Sequence, residues 1–153
     1  MQHTYDVTSQ AFFEAPYPTL RRMREEDPVH WHEPLGVWFI TRYADADAVV
    51  ALGGKTIREG QLVFPVLLAA NRDPAAFPDP DRFDIARTGA KHLGFSMGAH
   101  YCVGAPLVRL EIEEALRALL EVPRWELGPE GVPYGPYNLS DRGPSALRLG
   151  LSG

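Results

Sequence analysis

The residues best suited to chemistry lie in one short segment that ends at Gly104. It reads Phe95-Ser96-Met97-Gly98-Ala99-His100-Tyr101-Cys102-Val103-Gly104. Cys102 is the only cysteine of the chain, and a predicted helix begins just after it. The free N–H groups and the positive dipole end of a helix N-terminus favour the thiolate form of a nearby thiol, which is the form that binds metals. A lone cysteine is usually a buried, inert thiol, so its position alone makes Cys102 only a candidate thiolate ligand of a metal.

Four neighbours of Cys102 suit a thiolate–iron site. Gly98 and Gly104 permit backbone angles and a close approach that a Cβ atom would block. Phe95 can shield the sulfur and pack on a flat macrocycle, and His100 can meet a carboxylate at the edge of that macrocycle. These four residues and Cys102 are the predicted binding residues, with Cys102 as the metal ligand.

Hydrophobic spacing and turn residues predict the elements that position this segment. The clearest helix covers residues 105–120, with Pro106 in its first turn and with leucines at positions 107, 110, 116, 119 and 120 available to pack. The other predicted elements are a helix over 16–27, a β-hairpin over 29–32 and 37–41, a helix over 44–52, a buried strand over 61–68 and an ordered loop over 71–87.

The segment matches the pattern Phe-x-x-Gly-x-His/Arg-x-Cys-x-Gly and resembles the haem-binding signature of the cytochrome P450 family. Residues 17–43, 70–84 and 105–111 are also similar to soluble bacterial members. The resemblance implies haem (iron protoporphyrin IX) as the cofactor and Cys102 as its proximal ligand. It implies a monooxygenase that inserts oxygen from dioxygen into a small organic substrate, with a ferredoxin or flavoprotein reductase as electron donor.

Family members are more than twice as long as this chain. We interpret the chain as one truncated domain over 1–153, with an N-terminal block (1–50), a haem-loop block (53–153) and a large internal deletion between about residues 50 and 53. The deletion would remove the distal helix with its acidic-residue/threonine pair, and no Ala/Gly-Gly-x-Asp/Glu-Thr string occurs in the sequence. It would also remove the Glu-x-x-Arg motif that precedes the haem loop in the family.

Three features bear on that missing Glu-x-x-Arg motif. Glu114–Arg117 and Glu121–Arg124 have its spacing, but both follow the cysteine and are typical of helix-surface pairs. Arg82 resembles the family's partner of the missing pair. Since an unpaired buried arginine is costly, we expect Arg82 to face water or a nearby aspartate.

The expected fold class is α+β and mainly helical: a fragment of the cytochrome P450 fold with a small mixed β-sheet and the helix that follows the haem loop. Two functional hypotheses stay open. The chain is a haem-thiolate oxidoreductase of the monooxygenase type, or it is a non-catalytic truncated remnant that binds haem weakly or not at all. A haem-thiolate protein with peroxidase-like side activity is a third variant.

Two other sites are disfavoured by their spacing. Gly53-Gly54-Lys55-Thr56 resembles the end of a phosphate-binding loop, but Val49 stands where that loop needs its first glycine. A zinc site would draw on His30, His32, His92, His100 and Cys102, of which only His100 and Cys102 are close together with a known geometric logic. His30 and His32 would share one side of a strand, which we expect to be half-exposed.

Composition excludes several classes of partner. The net charge of −5 disfavours nucleic acid, because phosphate binding needs a basic face. The longest apolar run, Leu62 to Ala70, contains Pro65 and is too short to span a bilayer. The N-terminal residues show no signal-peptide pattern, and a single cysteine allows no internal disulfide. We therefore expect a cytoplasmic protein with no membrane partner.

Overall fold

The computed structural model describes residues 4–47, 55–122, 124–134 and 142–151. The chain divides into two compact units, Met1–His100 and Tyr101–Gly153. The boundary between the units lies between His100 and Tyr101, so it does not coincide with the border between the two sequence blocks. That border, at residues 50–53, lies outside the described residues together with the end of the predicted helix over 44–52.

The first unit contains four α-helices among its described residues: α1 (Gln10–Glu14), α2 (Pro16–Glu26), α3 (Tyr43–Asp47) and α4 (Leu67–Ala70). Ser9 caps α1, because its hydroxyl accepts the Phe12 N–H at 3.2 Å. Helix α2 confirms the predicted helix over 16–27. Short 3₁₀ turns cover Glu33–Leu35 and Gly98–His100.

A three-stranded mixed sheet organises this unit. Its strands are β1 (Val29–His32), β2 (Val37–Ile40) and β3 (Leu62–Pro65), in that order across the sheet. Strands β1 and β2 form the predicted antiparallel hairpin, whereas β2 and β3 run parallel, with Val37 opposite Leu62 and Ile40 opposite Pro65. The expected small mixed sheet is therefore confirmed, and it joins the two sequence blocks.

The predicted strand over 61–68 is too long. Strand β3 ends at Pro65. The Val66 N–H still donates to the Ile40 carbonyl at 2.8 Å, and the chain then enters α4. Leucine and alanine favour helix over strand, and Ala69 and Ala70 are fully buried. The Arg24 guanidinium donates to the Ala69 carbonyl at 2.9 Å, which satisfies an acceptor at the end of this short helix.

The expectation of a half-exposed face for His30 and His32 is wrong. Both are buried, with 3% and 7% of their surfaces exposed. Tyr5, in the segment before α1, packs its ring edge against His30 at 5.0 Å, and Phe39 packs against His32 at 5.6 Å. The part of the chain that the structure describes holds no group of three His, Cys, Asp or Glu residues able to bind a metal ion, so the zinc alternative gains no support.

The second unit contains the long helix α5 (Ala105–Leu120) and the antiparallel pair β4 (Trp125–Leu127) and β5 (Leu149–Leu151). Helix α5 begins and ends where the sequence predicts. Five of its larger apolar side chains are more than half exposed, namely Leu107, Leu110, Ile112, Leu116 and Leu120, whereas Leu119 is half-buried.

The charged side chains of α5 lie on its surface. Arg117 pairs with Glu113 at 2.6 Å and with Glu114 at 3.0 Å, which confirms the Glu114–Arg117 spacing as a helix-surface pair. In the first unit Arg82 is exposed, as expected. Across the described ranges, no helix combines the length and the apolar character that crossing a membrane requires.

An ion pair links the two blocks beside the sheet. The Lys55 ammonium donates to the Asp27 carboxylate at 2.6 Å and to the Val29 carbonyl at 2.7 Å. His30 Nδ1 lies 3.0 Å from the other Asp27 oxygen. Burial alone raises the pKa of Asp27, but the hydrogen bonds from Lys55 and His30 outweigh it and hold that pKa below the usual value.

The core of the sheet offers a test of the fold. Ile40 is fully buried, and it packs with Val29, Ile57 and Val63. We predict that Ile40→Ala lowers the free energy of unfolding by about 2–5 kcal/mol, because it leaves a cavity between the blocks. Leu62→Ala, on the same sheet but 69% exposed, is the matched control and should change it little. Urea unfolding measures both, and equal losses would contradict this packing.

The lowered pKa of Asp27 gives a prediction about acid stability. Its carboxylate stabilises the fold above the unfolded aspartate pKa of about 3.9, and this contribution is lost as the pH falls through the lower folded value. In Lys55→Met that folded pKa rises, so the acid unfolding midpoint should move to higher pH. Unfolding followed by circular dichroism from neutral to acid pH measures the shift. An unchanged midpoint would show that the ion pair contributes nothing.

Candidate functional site

Residues 91–98, called here the haem-loop segment, include the first four residues of the motif (95–98) and lie in the first unit. Leu93 is its buried centre, and its N–H donates to the Asn71 side-chain oxygen at 2.7 Å. Its carbonyl accepts the Ser96 N–H at 2.9 Å. Ser96 and Gly98 both adopt left-handed backbone angles, with φ of 60° and 62°. The segment is thus a tight turn in which a non-glycine residue holds a strained conformation.

Tyr43 contacts both ends of this segment from α3. Its hydroxyl donates to the Lys91 carbonyl at 2.9 Å and lies 3.8 Å from the Met97 sulfur. The Tyr43 N–H donates to the Asp73 carboxylate at 3.0 Å, and its ring packs edge-on against Phe77. Neither Tyr43 nor Asn71 is predictable as a site residue from the sequence, because no spacing rule relates residues so far apart in the chain.

A pocket of about 430 Å³ borders the haem-loop segment within the first unit. Its volume lies in the usual range of roughly 300–1,000 Å³ for ligand sites. The walls are mainly apolar, with the His100 imidazole as the titratable group: they comprise Ala46, Pro65, Leu67, Leu93, Ser96, Met97, Gly98 and His100. Phe95 is half-buried, and its ring contacts that of His92 at 5.6 Å.

Cys102 and Gly104 belong to the second unit. The Cys102 thiol is exposed, and the Cys102 carbonyl accepts the Ala105 N–H at 3.2 Å as the chain enters α5. The prediction that the cysteine directly precedes a helix is therefore confirmed. The motif crosses the boundary between the units, with Phe95, Gly98 and His100 before it.

The two motif glycines, Gly98 and Gly104, have different backbone conformations and therefore different structural roles. Gly98 needs its left-handed angle, as predicted. Gly104 caps α5 with an ordinary φ of −80°, so no special backbone angle is required there. A Cβ on Gly104 would meet the Cys102 sulfur at 3.7 Å, an ordinary contact distance. Glycine at 104 leaves that flank of the sulfur open and does not relieve strain.

The cytochrome P450 family model matches residues 32–142, which is more than half of the chain. The chain belongs to the cytochrome P450 family. This cytochrome P450 chain is 45% identical over 133 residues to the mycinamicin IV hydroxylase/epoxidase of Micromonospora griseorubida. The match covers 85% of this chain and 33% of that protein. The family match runs across the proposed junction at residues 50–53.

Solved cytochromes P450 share the fold. The ligand-free CYP164A2 of Mycobacterium smegmatis is 39% identical with a TM-score of 0.59, and the match covers 86% of this chain and 31% of that one. The LnmA hydroxylase of Streptomyces atroolivaceus is 46% identical with a TM-score of 0.55, and the match covers 65% of this chain and 26% of that one. The chain therefore spans about a third or less of the length of the relatives it matches.

Cytochromes P450 are haem-iron enzymes, and the residues present fit that cofactor. The Cys102 thiol is exposed and precedes the N-terminus of a helix. Within the first unit, taken by itself, a mainly apolar pocket is present and Gly98 adopts the left-handed turn. A soft sulfur donor and apolar walls are what an iron–porphyrin requires.

The difference between the glycines is testable. We predict that Gly98→Ala lowers the free energy of unfolding by about 1–2 kcal/mol, because alanine resists the left-handed angle although there is space for its methyl group. Gly104→Ala is the matched control, with an expected loss of about 0.5 kcal/mol or less. Urea unfolding compares the two variants. A larger loss for Gly104→Ala would overturn the backbone argument.

Proposed function

We propose that this chain binds haem through the Cys102 thiolate and acts as a haem-thiolate oxidoreductase of the cytochrome P450 monooxygenase type. The observation that carries the proposal is the exposed Cys102 thiol at the entrance to α5, inside a complete family signature. The site residues of the proposal are Phe95, Gly98, His100, Cys102 and Gly104. One truncated domain would contain both sequence blocks, which the pairing of β2 with β3 supports.

Three features of the second unit support thiolate ligation. Cys102 precedes the N-terminus of α5 by three residues, and the positive dipole end of a helix favours an anionic ligand such as a thiolate. The Cys102 carbonyl is tied to the Ala105 N–H, which fixes the residue relative to that helix end. Gly104 leaves one flank of the sulfur uncovered. A sulfur that is held in place and accessible is suited to bind iron.

The first unit would provide apolar contacts and an edge contact. Met97, Leu93 and Leu67 line an apolar pocket, and apolar side chains of this kind would shield a flat macrocycle from water. The exposed His100 imidazole can donate a hydrogen bond to a porphyrin carboxylate. Phe95 can cover the ring face near the sulfur. Haem, when bound, supplies redox chemistry with dioxygen, and a thiolate ligand favours O–O cleavage.

The partners belong to the proposal as well. A ferredoxin or flavoprotein would deliver electrons, and the substrate would be a small organic molecule. Mycinamicin IV hydroxylase/epoxidase, the relative named above, carries a hydroxylase and epoxidase activity in its name. Oxygen insertion is therefore the reaction class that we assign to the chain.

A non-catalytic remnant is the second candidate, and a specific observation favours it. The apolar side chains Leu107, Leu110 and Leu116 of α5 are more than half exposed, and the Cys102 thiol is exposed as well. An open site admits water, and controlled oxidation needs water to be excluded. On this hypothesis the chain retains the ligand residue without sustained turnover.

Haem reconstitution tests the ligand. We predict that the purified chain takes up one haem and gives the thiolate-type band of the reduced, carbon-monoxide-bound state, and that Cys102→Ser abolishes this band. Val103→Ala, a change at a fully exposed neighbour, is the control and should keep it. A band unchanged in Cys102→Ser would refute the ligand assignment. Failure of the unaltered chain to take up haem would establish the remnant.

Turnover needs its own measurement. Substrate oxidation with dioxygen and an added ferredoxin system would support the monooxygenase proposal. Dye oxidation driven by hydrogen peroxide alone, without a reductase, would replace it by the peroxidase-like variant. A thiolate band without either activity would reduce the proposal to a haem-binding remnant.

A further inference from the structure

Two side chains from elsewhere in the first unit hold the haem-loop segment by hydrogen bonds. Asn71 holds its centre through the Leu93 N–H, and Tyr43 touches both of its ends through the Lys91 carbonyl and the Met97 sulfur. Both contacts of the Tyr43 hydroxyl are with this one segment. Lys91 precedes Ser96, the residue with the strained backbone angle, and Met97 follows it.

We propose that Tyr43 is a positioning residue for the haem site: its hydroxyl holds the Lys91–Met97 segment in the shape that the cofactor pocket requires. The proposal rests on the function proposed above, since it concerns how the same site is preorganised. Tyr43 is not among the residues that line the pocket described above. It acts through the Lys91 carbonyl and through Met97, and Met97 lines the pocket.

The position of Tyr43 is itself fixed independently of its hydroxyl. The Tyr43 N–H donates to Asp73, which is buried and which also accepts the Ala75 N–H at 3.0 Å. The Tyr43 ring packs edge-on against Phe77, with the ring centroids 5.5 Å apart. Backbone and ring anchor the residue, which leaves the hydroxyl to act on the loop. Removing the hydroxyl alone therefore separates loop positioning from packing.

The segment needs such an anchor because its conformation is strained. Ser96, a residue with a side chain, holds a φ of 60°, and conformations of this kind persist only where surrounding contacts enforce them. A loop released at Lys91 and Met97 would sample other shapes. Cofactor binding would then have to order it again, which lowers affinity and broadens the distribution of bound geometries.

Tyr43→Phe tests the proposal. Amide hydrogen exchange within 91–98 should become roughly threefold to tenfold faster, as expected for the loss of one hydrogen bond. The haem-loaded variant should lose haem faster by a similar factor, and its ferric electron paramagnetic resonance signal should broaden. A general loss of stability would not by itself broaden that signal.

Two further variants serve as comparisons for the exchange rates of Tyr43→Phe. Tyr5→Phe removes a hydroxyl that donates to Glu26 at 3.1 Å, away from the segment, so it should leave loop exchange and haem loss unchanged. Asn71→Ala removes the acceptor of the Leu93 N–H and should accelerate exchange at Leu93. Loop exchange in Tyr43→Phe equal to that in Tyr5→Phe would overturn the positioning role.

The two proposals fail in different ways. If the unaltered chain takes up no haem, the functional proposal fails, while exchange in the haem-free chain still decides whether Tyr43 orders the segment. The other case is a chain that binds haem with the thiolate band. If Tyr43→Phe then releases haem no faster and its electron paramagnetic resonance signal is not broadened, the positioning role fails while Cys102 ligation stands.

Discussion

The parallel pairing of β2 with β3 is the interaction on which the rest of the first unit depends. It sets residues 37–40 beside residues 62–65 in a fixed register, so the two sequence blocks share one sheet and one core. A parallel pair cannot be closed by a tight turn and needs a longer crossover, and α3 lies within it. Ile40 is fully buried at the end of this pair, and its carbonyl accepts the Val66 N–H where the chain leaves the sheet. Without this pairing, neither block would have a partner for its apolar face.

Parallel strands also explain where the site forms. Because β2 and β3 point the same way, the residues that follow them emerge at the same edge of the sheet. Tyr43 follows β2, whereas Asn71 and Asp73 follow β3 by way of α4. These three residues meet there: Asp73 accepts the Tyr43 N–H, and Tyr43 and Asn71 hold the haem-loop segment. The topology of a small sheet thus determines the shape of a loop that lies far along the chain.

Sequence reasoning found what depends on local pattern. Helices α2 and α5 and the hairpin follow from proline positions and apolar spacing, and the motif identified the family through one cysteine and two glycines. Helix α4 was missed because Leu67 and Leu68 continue an apolar run, in which strand and helix cannot be told apart by period. The burial of His30 depends on Tyr5 folding over it, and the anchoring by Tyr43 depends on the strand register. Contacts of this kind are set by tertiary structure and leave no local signal.

Thiolate ligation and oxygen insertion make different demands on a chain of this length. Ligation depends on local features: a sulfur beside a helix N-terminus, a glycine that leaves it accessible, and a preformed loop. Controlled oxidation depends on walls that exclude water and deliver protons, and the acidic-residue/threonine string that does so in the family does not occur in this sequence. Relatives about three times as long have room for both. Family membership therefore supports the ligand more directly than the reaction, because the residues needed for the ligand are adjacent in sequence while those needed for turnover come from the whole fold.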